Sequence, residues 1–361
     1  MATHFHTLTI AAIQKETPEC ISVLFEVPEH LREIYQFKQG QNITVKAVID
    51  GEELRRSYSI CGNPVDGELR VAIKAVEAGR FSPWANRQWQ KGDAIEVLPP
   101  TGRFFTELSP THRKHYLAIA AGSGITPILS IIKATLAIEP NSKFTLLYGN
   151  RNRASIIFRE QLEALKNRYM DRFALHHILS REKTDSVINH GRIDAVKCDQ
   201  FQQLINLAGM DEVFLCGPEA MIFSVRDWFE AKGVDKKKVH FELFTTPGDA
   251  RAGSKAAAHA EEASSAGKTS RVTVKLDGIA VDFNLPYEGA SILDAAMYEG
   301  ADLPYACKGG VCATCRARLV AGEVEMDVNY ALEPEEIEQG FILTCQSHPR
   351  SPAVMIDFDV R

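Results

Sequence analysis

The run "YLAIAAGSGITPILSII", residues 116–132, is the longest uncharged stretch in the chain. Its length alone reaches the lower limit for a helix that crosses a membrane. Its interior reads differently. Gly122-Ser123-Gly124 and Pro127 divide the run into a strand, a tight turn and a helix. Small residues between a strand and a helix let backbone N–H groups and the helix N-terminus approach a pyrophosphate. Pro127 suits the first helical turn, where its missing N–H would have no partner anyway. A lone Gly-x-Gly also serves a plain strand–helix turn. Pro127 stands where the third glycine of Gly-x-Gly-x-x-Gly would be, so a standard dehydrogenase fingerprint is disfavoured.

Working outward, residues 115–245 alternate apolar strands with amphipathic helices: "HYLAIAA", "TPILSIIKATLAI", "KFTLLYG", "IIFREQLEALKNRY", "FALHHILS", "DEVFLCG", "EAMIFSVRDWFEAKG" and "VHFELF". That alternation predicts a doubly wound parallel α/β sheet. Residues 1–108 carry short strands and turns instead: "TLTIAAIQ", "ISVLFEVP", "NITVKAVI", "RRSYSI", "LRVAIKAV" and "AIEVLPP". Strand runs at that spacing predict an antiparallel β-barrel. Within it, Arg56 can pair with a phosphate, Tyr58 offers an aromatic face and Ser59 a hydroxyl donor. "GRFS", Gly79 to Ser82, is expected to supply a turn with free amides and a hydroxyl. Taken singly, each of these has an equally ordinary structural reading. No internal repeat is visible.

The segment "TPGDARAGSKAAAHAEEASSAGKTS", residues 246–270, lacks large apolar residues and reads as a linker. The alternative is a surface helix over "SKAAAHAEEA". As coil, about 22 residues would span roughly 25 Å. Beyond it come alternating strands ("RVTVKLDGIAVDFNL"), a helix ("SILDAAMYEG") and the loop "CKGGVCATC", residues 307–315. The spacing is Cys307-x₄-Cys312-x₂-Cys315, with Cys345 thirty residues on. This is the plant-type [2Fe–2S] pattern, four thiolates for two irons. Gly309 and Gly310 fit where side chains would block a cluster, and Ala313 and Thr314 are small for the same reason. Zinc is the main rival, although structural zinc sites usually use two short knuckles and Cys345 stands alone in "ILTCQS". Disulfides are the other rival. Cys20, Cys61, Cys198 and Cys216 are dispersed and read as small buried hydrophobes.

The composition, 45% hydrophobic and 24% charged over 361 residues, is that of a globular protein of two to three domains. The net charge of −6 argues against nucleic acid as a partner. Residues 269–361 hold 15 acidic and 7 basic side chains, so the acidity lies entirely in the last domain. Either it steers a basic acceptor or it is a solvated surface. The start, "MATHFHTLTIAAIQKETPEC", has no basic or apolar leader region, so a cytoplasmic location with reduced thiols and no membrane contact is expected.

In combination the pieces resemble the ferredoxin–NADP reductase superfamily over residues 1–245. The matching motifs appear in family order: Arg56-x-Tyr58-Ser59, Ile73-Lys74, Gly79-x-x-Ser82, Gly122-x-Gly124-x-x-Pro127, "YGNR" at 148–151 and "CGPEAM" at 216–221. The resemblance implies a flavin in the barrel and a nicotinamide nucleotide on the α/β domain. It implies Ser59 near flavin N5, Cys216 beside the nicotinamide and Glu242 of "HFELF" helping to close the site, as the catalytic set. Against it, Cys216 also reads as a buried thiol at a strand end and Glu242 as a surface carboxylate. The implied cofactor-binding residues are Arg56, Tyr58, Ser59, Ile73, Lys74, Gly79, Phe81, Ser82, Gly122, Gly124, Thr126, Pro127, Arg151, Ser180, Arg181, Gly217 and Pro218. Ser180-Arg181 in "LSREK" resembles the 2′-phosphate site of plant-type NADP reductases, which favours NADPH. The later Lys and aromatic of that site are not evident in "TDSVINHGRI".

Residues 270–361 resemble plant-type ferredoxins, with Cys307, Cys312, Cys315 and Cys345 as the implied metal ligands and a β-grasp-like α+β fold. More narrowly, "GEELRRSYSIC", "AIAAGSGITPILSIIKATL", "ADLPYACKGGVCATCRARLVAGEVEMDVNYALEPEEI" and the terminal "DFD" resemble the reductase subunits of ring-1,2-phenylacetyl-CoA epoxidases. That family implies FAD, NADPH and a di-iron oxygenase partner within a multicomponent complex. The expected electron order is NADPH, FAD, [2Fe–2S], oxygenase. Two alternatives stand beside it: the reductase of another aromatic-ring oxygenase, of the phthalate-dioxygenase type with FMN and NADH, and a non-enzymatic flavin- or metal-binding protein. The expected domains are 1–108 (flavin barrel), 109–245 (nucleotide), 246–269 (flexible linker) and 270–361 (ferredoxin).

Overall fold

The computed structural model describes residues 4–244 and 267–360. Most of the expected linker, 246–266, lies outside these residues. The chain divides into two compact units, one built mainly on Thr7–Phe244 and the other mainly on the C-terminal residues.

The first six strands are β1 (His6–Thr17), β2 (Cys20–Glu26), β3 (Asn42–Ile49), β4 (Glu52–Ser59), β5 (Arg70–Lys74) and β6 (Ala94–Val97). They form a sheet in the order β4-β3-β6-β1-β2-β5. An antiparallel bridge from Ile60 to Val71 joins the two end strands, and Cys61 N–H donates to Arg70 O at 2.8 Å. The sheet is therefore drawn closed at this end, as in a barrel. Leu8, Ile10, Val23, Ile43, Val45, Val71, Ile73 and Val97 are fully buried and fill it. Helix α1 (Phe81–Gln88) packs on this core through Phe81, whose ring meets Trp89 edge-on at 6.0 Å.

The nucleotide half contains β7 (His115–Ala121), α2 (Ile125–Ile138), β8 (Lys143–Asn150), α3 (Arg159–Arg168), β9 (Phe173–Leu179), α4 (Ala195–Gln202), β10 (Glu212–Gly217), α5 (Glu219–Ala231) and β11 (Val239–Leu243). Its strands run in the order β11-β10-β7-β8-β9 and pair in parallel. The run 116–132 is thus strand, turn and helix. Among the described residues no helix is long and apolar enough to cross a membrane. The chain winds outward from β7 through β8 to β9, then returns to lay β10 on the other side of β7. That reversal creates a switch point between β7 and β10, where open α/β sheets bind ligands at the carboxyl ends of their strands.

Helix α2 also ties this half to the barrel. Ser130 Oγ donates to Gly62 O at 2.7 Å, and Lys133 Nζ donates to Cys61 O at 3.2 Å. Gly62 is obligatory, because a Cβ there would lie 1.7 Å from Glu68 O. At the far end of α2, Glu139 is fully buried. Its carboxylate accepts from Ser109 N (3.0 Å), Ser142 Oγ (2.7 Å) and Tyr116 Oη (2.9 Å), and it meets His112 Nδ1 at 2.8 Å. A buried carboxylate is tolerated only when its oxygens are satisfied in this way.

The C-terminal unit contains β12 (Thr269–Leu276), β13 (Ile279–Pro286), α6 (Ile292–Tyr298), β14 (Arg316–Ala321), β15 (Val324–Met326), α7 (Pro334–Glu338), β16 (Phe341–Leu343), β17 (Ser347–Pro349) and β18 (Ala353–Asp357). The main sheet runs β13-β12-β18-β14-β16, with β12 and β18 parallel and the other pairs antiparallel. Ser291 caps α6, accepting from Asp294 N at 3.2 Å. Buried Val272, Val274, Ile292, Leu293, Ala317, Leu343 and Ile356 join helix to sheet. This mixed sheet with one helix across it is the β-grasp-like α+β arrangement expected from the sequence.

Ser130→Ala removes one neutral hydrogen bond and should cost about 1 kcal/mol. Glu139→Leu strands several buried donors and should cost about 3–5 kcal/mol. Thermal denaturation followed by circular dichroism should therefore show a much larger fall in apparent Tm for the second variant than for the first.

Candidate active site and cluster loop

Residues 122–124 form a single helical turn directly after β7. Gly122 has φ +56°, in the left-handed region. Gly124 is set by a neighbour: a Cβ there would lie 2.1 Å from Cys216 O at the end of β10. The two strand ends flanking the switch point thus touch through backbone alone. Tyr148 Oη donates to Gly122 O at 3.0 Å, and Thr126 Oγ1 donates to Ser123 O at 3.0 Å, so the loop is held from both sides. Pro127 lies buried in the first turn of α2. Gly217 ends β10, and exposed Pro218 leads into α5.

The three residues expected to be catalytic meet here. Cys216 and Glu242 are register partners on β10 and β11. Ser59, at the end of β4 and 5% exposed, donates its hydroxyl to Glu242 Oε2 at 3.1 Å. Cys216 is fully buried. Burial raises its thiol pKa well above the usual range, and the Glu242 carboxylate adds to the rise. It is therefore a neutral thiol at physiological pH and no nucleophile.

One barrel residue comes close to this turn. Lys74 Nζ lies 3.9 Å from where a Gly122 Cβ would sit. Tyr58 packs its ring on Phe81 at 6.1 Å. Ile73 is buried, and its carbonyl accepts from Asn86 Nδ2 at 2.9 Å. The same amide bonds Ser82 O at 2.8 Å. Arg56, on β4, donates to Arg55 O at 2.7 Å. The turn 79–82 differs from the expectation of free groups. Gly79 N–H is spent on Val76 O at 2.9 Å, and Ser82 Oγ accepts from Val76 N at 3.1 Å. Phe81 and Ser82 already belong to α1. What remains is the start of that helix rather than an open loop.

At the ends of β8 and β9, Ser180 N bonds Asn150 O at 2.9 Å and Arg181 N bonds Arg151 O at 2.8 Å. The two arginines are exposed neighbours on the carboxyl edge of the sheet.

The cluster loop lies between α6 and β14. Its four thiols make two neighbouring pairs, Cys307 with Cys312 and Cys315 with Cys345. Among the described residues no three His, Cys, Asp or Glu side chains meet around one point, as a single ion requires. The hydrogen bond from Cys312 lowers the Cys307 thiol to about 7, against its burial, with the Gly309 and Val311 amides helping. Gly309 N–H donates to Cys307 Sγ at 3.3 Å. The Cys345 thiol is lowered by hydrogen bonds from Cys315, Gln346 and the Gly310 amide. The Cys312 thiol is raised, first by its hydrogen bond with Cys307 and then by burial, and the buried Thr314 side chain and amide act against that rise. Two thiol pairs with amides aimed at sulfur fit a [2Fe–2S] cluster held by these four cysteines.

Three family models match the chain: an oxidoreductase FAD-binding domain over residues 7–106, an oxidoreductase NAD-binding domain over 118–227 and a 2Fe-2S iron–sulfur cluster binding domain over 274–350. A subunit of 1,2-phenylacetyl-CoA epoxidase from Escherichia coli is 46% identical over 99% of both chains. The chain belongs to the family of that epoxidase subunit. The ferredoxin reductase component of 3-ketosteroid-9-alpha-monooxygenase from Rhodococcus rhodochrous is 32% identical, over 97% of this chain and 96% of that one. Phthalate dioxygenase reductase, a modular structure for electron transfer from pyridine nucleotides to [2Fe–2S], shares its fold at a TM-score of 0.60, covering 98% of each chain at 24% identity. As a member of this family the chain is an oxidoreductase, the reductase component of an oxygenase system.

Some residues of the site were hidden in the sequence. Tyr148 was visible only as part of "YGNR", and nothing local shows that its hydroxyl reaches Gly122. Asn86 and Gln346 act through contacts made by the fold, and no spacing rule points to either.

Burial predicts that Cys216 resists alkylation. Iodoacetamide at pH 8 should label it in unfolded protein and leave it unlabelled in folded protein, as read by peptide mass spectrometry.

Proposed function

We propose that this chain is the reductase of a phenylacetyl-CoA epoxidase, carrying electrons from NADPH through FAD and [2Fe–2S] to a di-iron oxygenase component in the cytoplasm. The observation that carries this reading is the 46% identity to the Escherichia coli epoxidase chain over 99% of both. The working division is a flavin barrel at 1–108, a nucleotide domain at 109–245, a linker at 246–269 and a ferredoxin domain from 270.

When bound, the three groups supply hydride donation, division of an electron pair into single electrons, and one-electron exit. The protein's part is to bind, orient and keep water out. Ser59 is the orienting hydroxyl: its proton is committed to Glu242, so its oxygen is held in place with lone pairs available to a donor. Cys216 is the dry wall of the site, a neutral group that adds no charge beside the reacting rings. Arg56, Tyr58, Lys74 and the start of α1, with Gly79, Phe81 and Ser82, face the flavin side, Ile73 packing beneath. Gly122, Gly124, Thr126 and Pro127 present the turn and helix start to a pyrophosphate. Gly217 and Pro218 line the opposite lip. Arg151, Ser180 and Arg181 gather donors suited to a dianionic 2′-phosphate. Cys307, Cys312, Cys315 and Cys345 hold the cluster.

A second reading is the reductase of another oxygenase, with FMN and NADH; the 32–34% identity to 3-ketosteroid-9-alpha-monooxygenase ferredoxin reductase components favours the other oxygenase. The deciding experiment combines the purified holoprotein with the oxygenase components of a phenylacetyl-CoA epoxidase. NADPH-dependent oxygenation of phenylacetyl-CoA supports the first reading. No oxygenation, with intact NADPH-dependent ferricyanide reduction, supports the second.

Two variants probe the site. Arg181→Glu should raise KM for NADPH about tenfold or more and leave KM for NADH near its original value. Unchanged coenzyme preference would remove Arg181 from the 2′-phosphate site. Ser59→Ala should lower kcat for ferricyanide reduction about tenfold to a hundredfold with flavin still bound.

A further inference from the structure

Gln346 follows the fourth cysteine and is 9% exposed. Its side-chain nitrogen donates to Lys308 O at 2.9 Å and to Cys345 O at 3.0 Å, and lies 3.5 Å from Cys345 Sγ. The two carbonyl partners fix the amide's orientation, because its oxygen in that place would face two other oxygens. Two amide protons thus serve three acceptors, one proton being shared between the carbonyl and the sulfur of Cys345.

The contacts on either side make this more than a local bond. Gln346 Cγ packs 3.3 Å from where a Gly310 Cβ would be. Its backbone carbonyl accepts from Asp327 N at 2.9 Å, and its N–H donates to Leu343 O at 2.9 Å. Gly310 O in turn accepts from Tyr330 N at 3.1 Å. Lys308, whose carbonyl Gln346 holds, has φ +52°, a conformation a lysine rarely adopts. One side chain therefore clamps the start of the cysteine loop to the turn between β16 and β17 that carries the last thiol, and does so while touching that thiol.

We propose that Gln346 is a positioning residue that raises the cluster's midpoint potential by donating to Cys345 and by clamping Lys308. A reduced cluster carries more negative charge on its sulfurs, so an N–H donor stabilises the reduced form more than the oxidised one. Removing the donor lowers the potential and makes the cluster a poorer acceptor from the flavin. The proposal rests on the four cysteines being the cluster ligands.

Two full-length variants test it. Gln346→Met keeps the length of the side chain and deletes the donor, and Gln346→Lys returns N–H donors. The readouts are the midpoint potential, by redox titration followed by electron paramagnetic resonance, and the iron-to-protein ratio. The expected result is a negative shift of the midpoint in the Met variant, reversed in the Lys variant, at full iron occupancy in both. An unmoved midpoint in an iron-replete Met variant, or loss of iron from both variants, would overturn the proposal. A wild-type protein that gives no [2Fe–2S] signal on reduction would defeat the ligand assignment instead, a result distinct from either.

Discussion

The backbone contact between Gly124 and Cys216 is the constraint on which the nucleotide half depends. A side chain at 124 would occupy the space of the Cys216 carbonyl. Its absence lets the end of β10 come up against the turn after β7. That closeness puts Cys216 beside the turn, Glu242 beside Cys216, and Glu242 within a hydrogen bond of Ser59 on the barrel. A backbone fit of this kind cannot relax through a rotamer change, so it fixes the site more firmly than any pair of flexible side chains could.

Much of this was legible in advance. The run 116–132 gives its turn away because glycine and proline interrupt an apolar stretch, and the strand runs of residues 1–108 match the six barrel strands. The four clustered cysteines declare themselves by spacing alone. Other features were not legible for a physical reason. The bond between Ser59 and Glu242 joins residues 183 positions apart, and neither has a local pattern that names the other. The turn 79–82 shows the same limit from another side. Its groups look alike in sequence, whereas in the fold the Gly79 amide donates to Val76 O and the Ser82 hydroxyl oxygen accepts from Val76 N. Gln346 was invisible for a third reason: a polar residue beside a cysteine reads as filler until the fold buries it.

The C-terminal unit solves a different problem. Three of its thiols come from one nine-residue loop, and the fourth comes from a position that the β-sheet must deliver. Lys308 and Ala313 both take positive φ within that loop. A loop so bent is stable only where surrounding bonds over-determine it. Amides at Gly309 and Gly310, and the Gln346 side chain, supply those bonds and point their hydrogens at sulfur at the same time.

The closure of the barrel carries a consequence for how the molecule fails. Its end strands are joined through the Ile60–Val71 bridge and the Cys61–Arg70 hydrogen bond. Ser59 sits one residue from that seam. The seam is also held from outside the barrel: Lys133 and Ser130 of α2 bond the Cys61 and Gly62 carbonyls, and Ile60 N–H donates to Gln41 O. Loosening α2 would therefore free the seam too, so the barrel and the nucleotide half are expected to open together rather than one after the other.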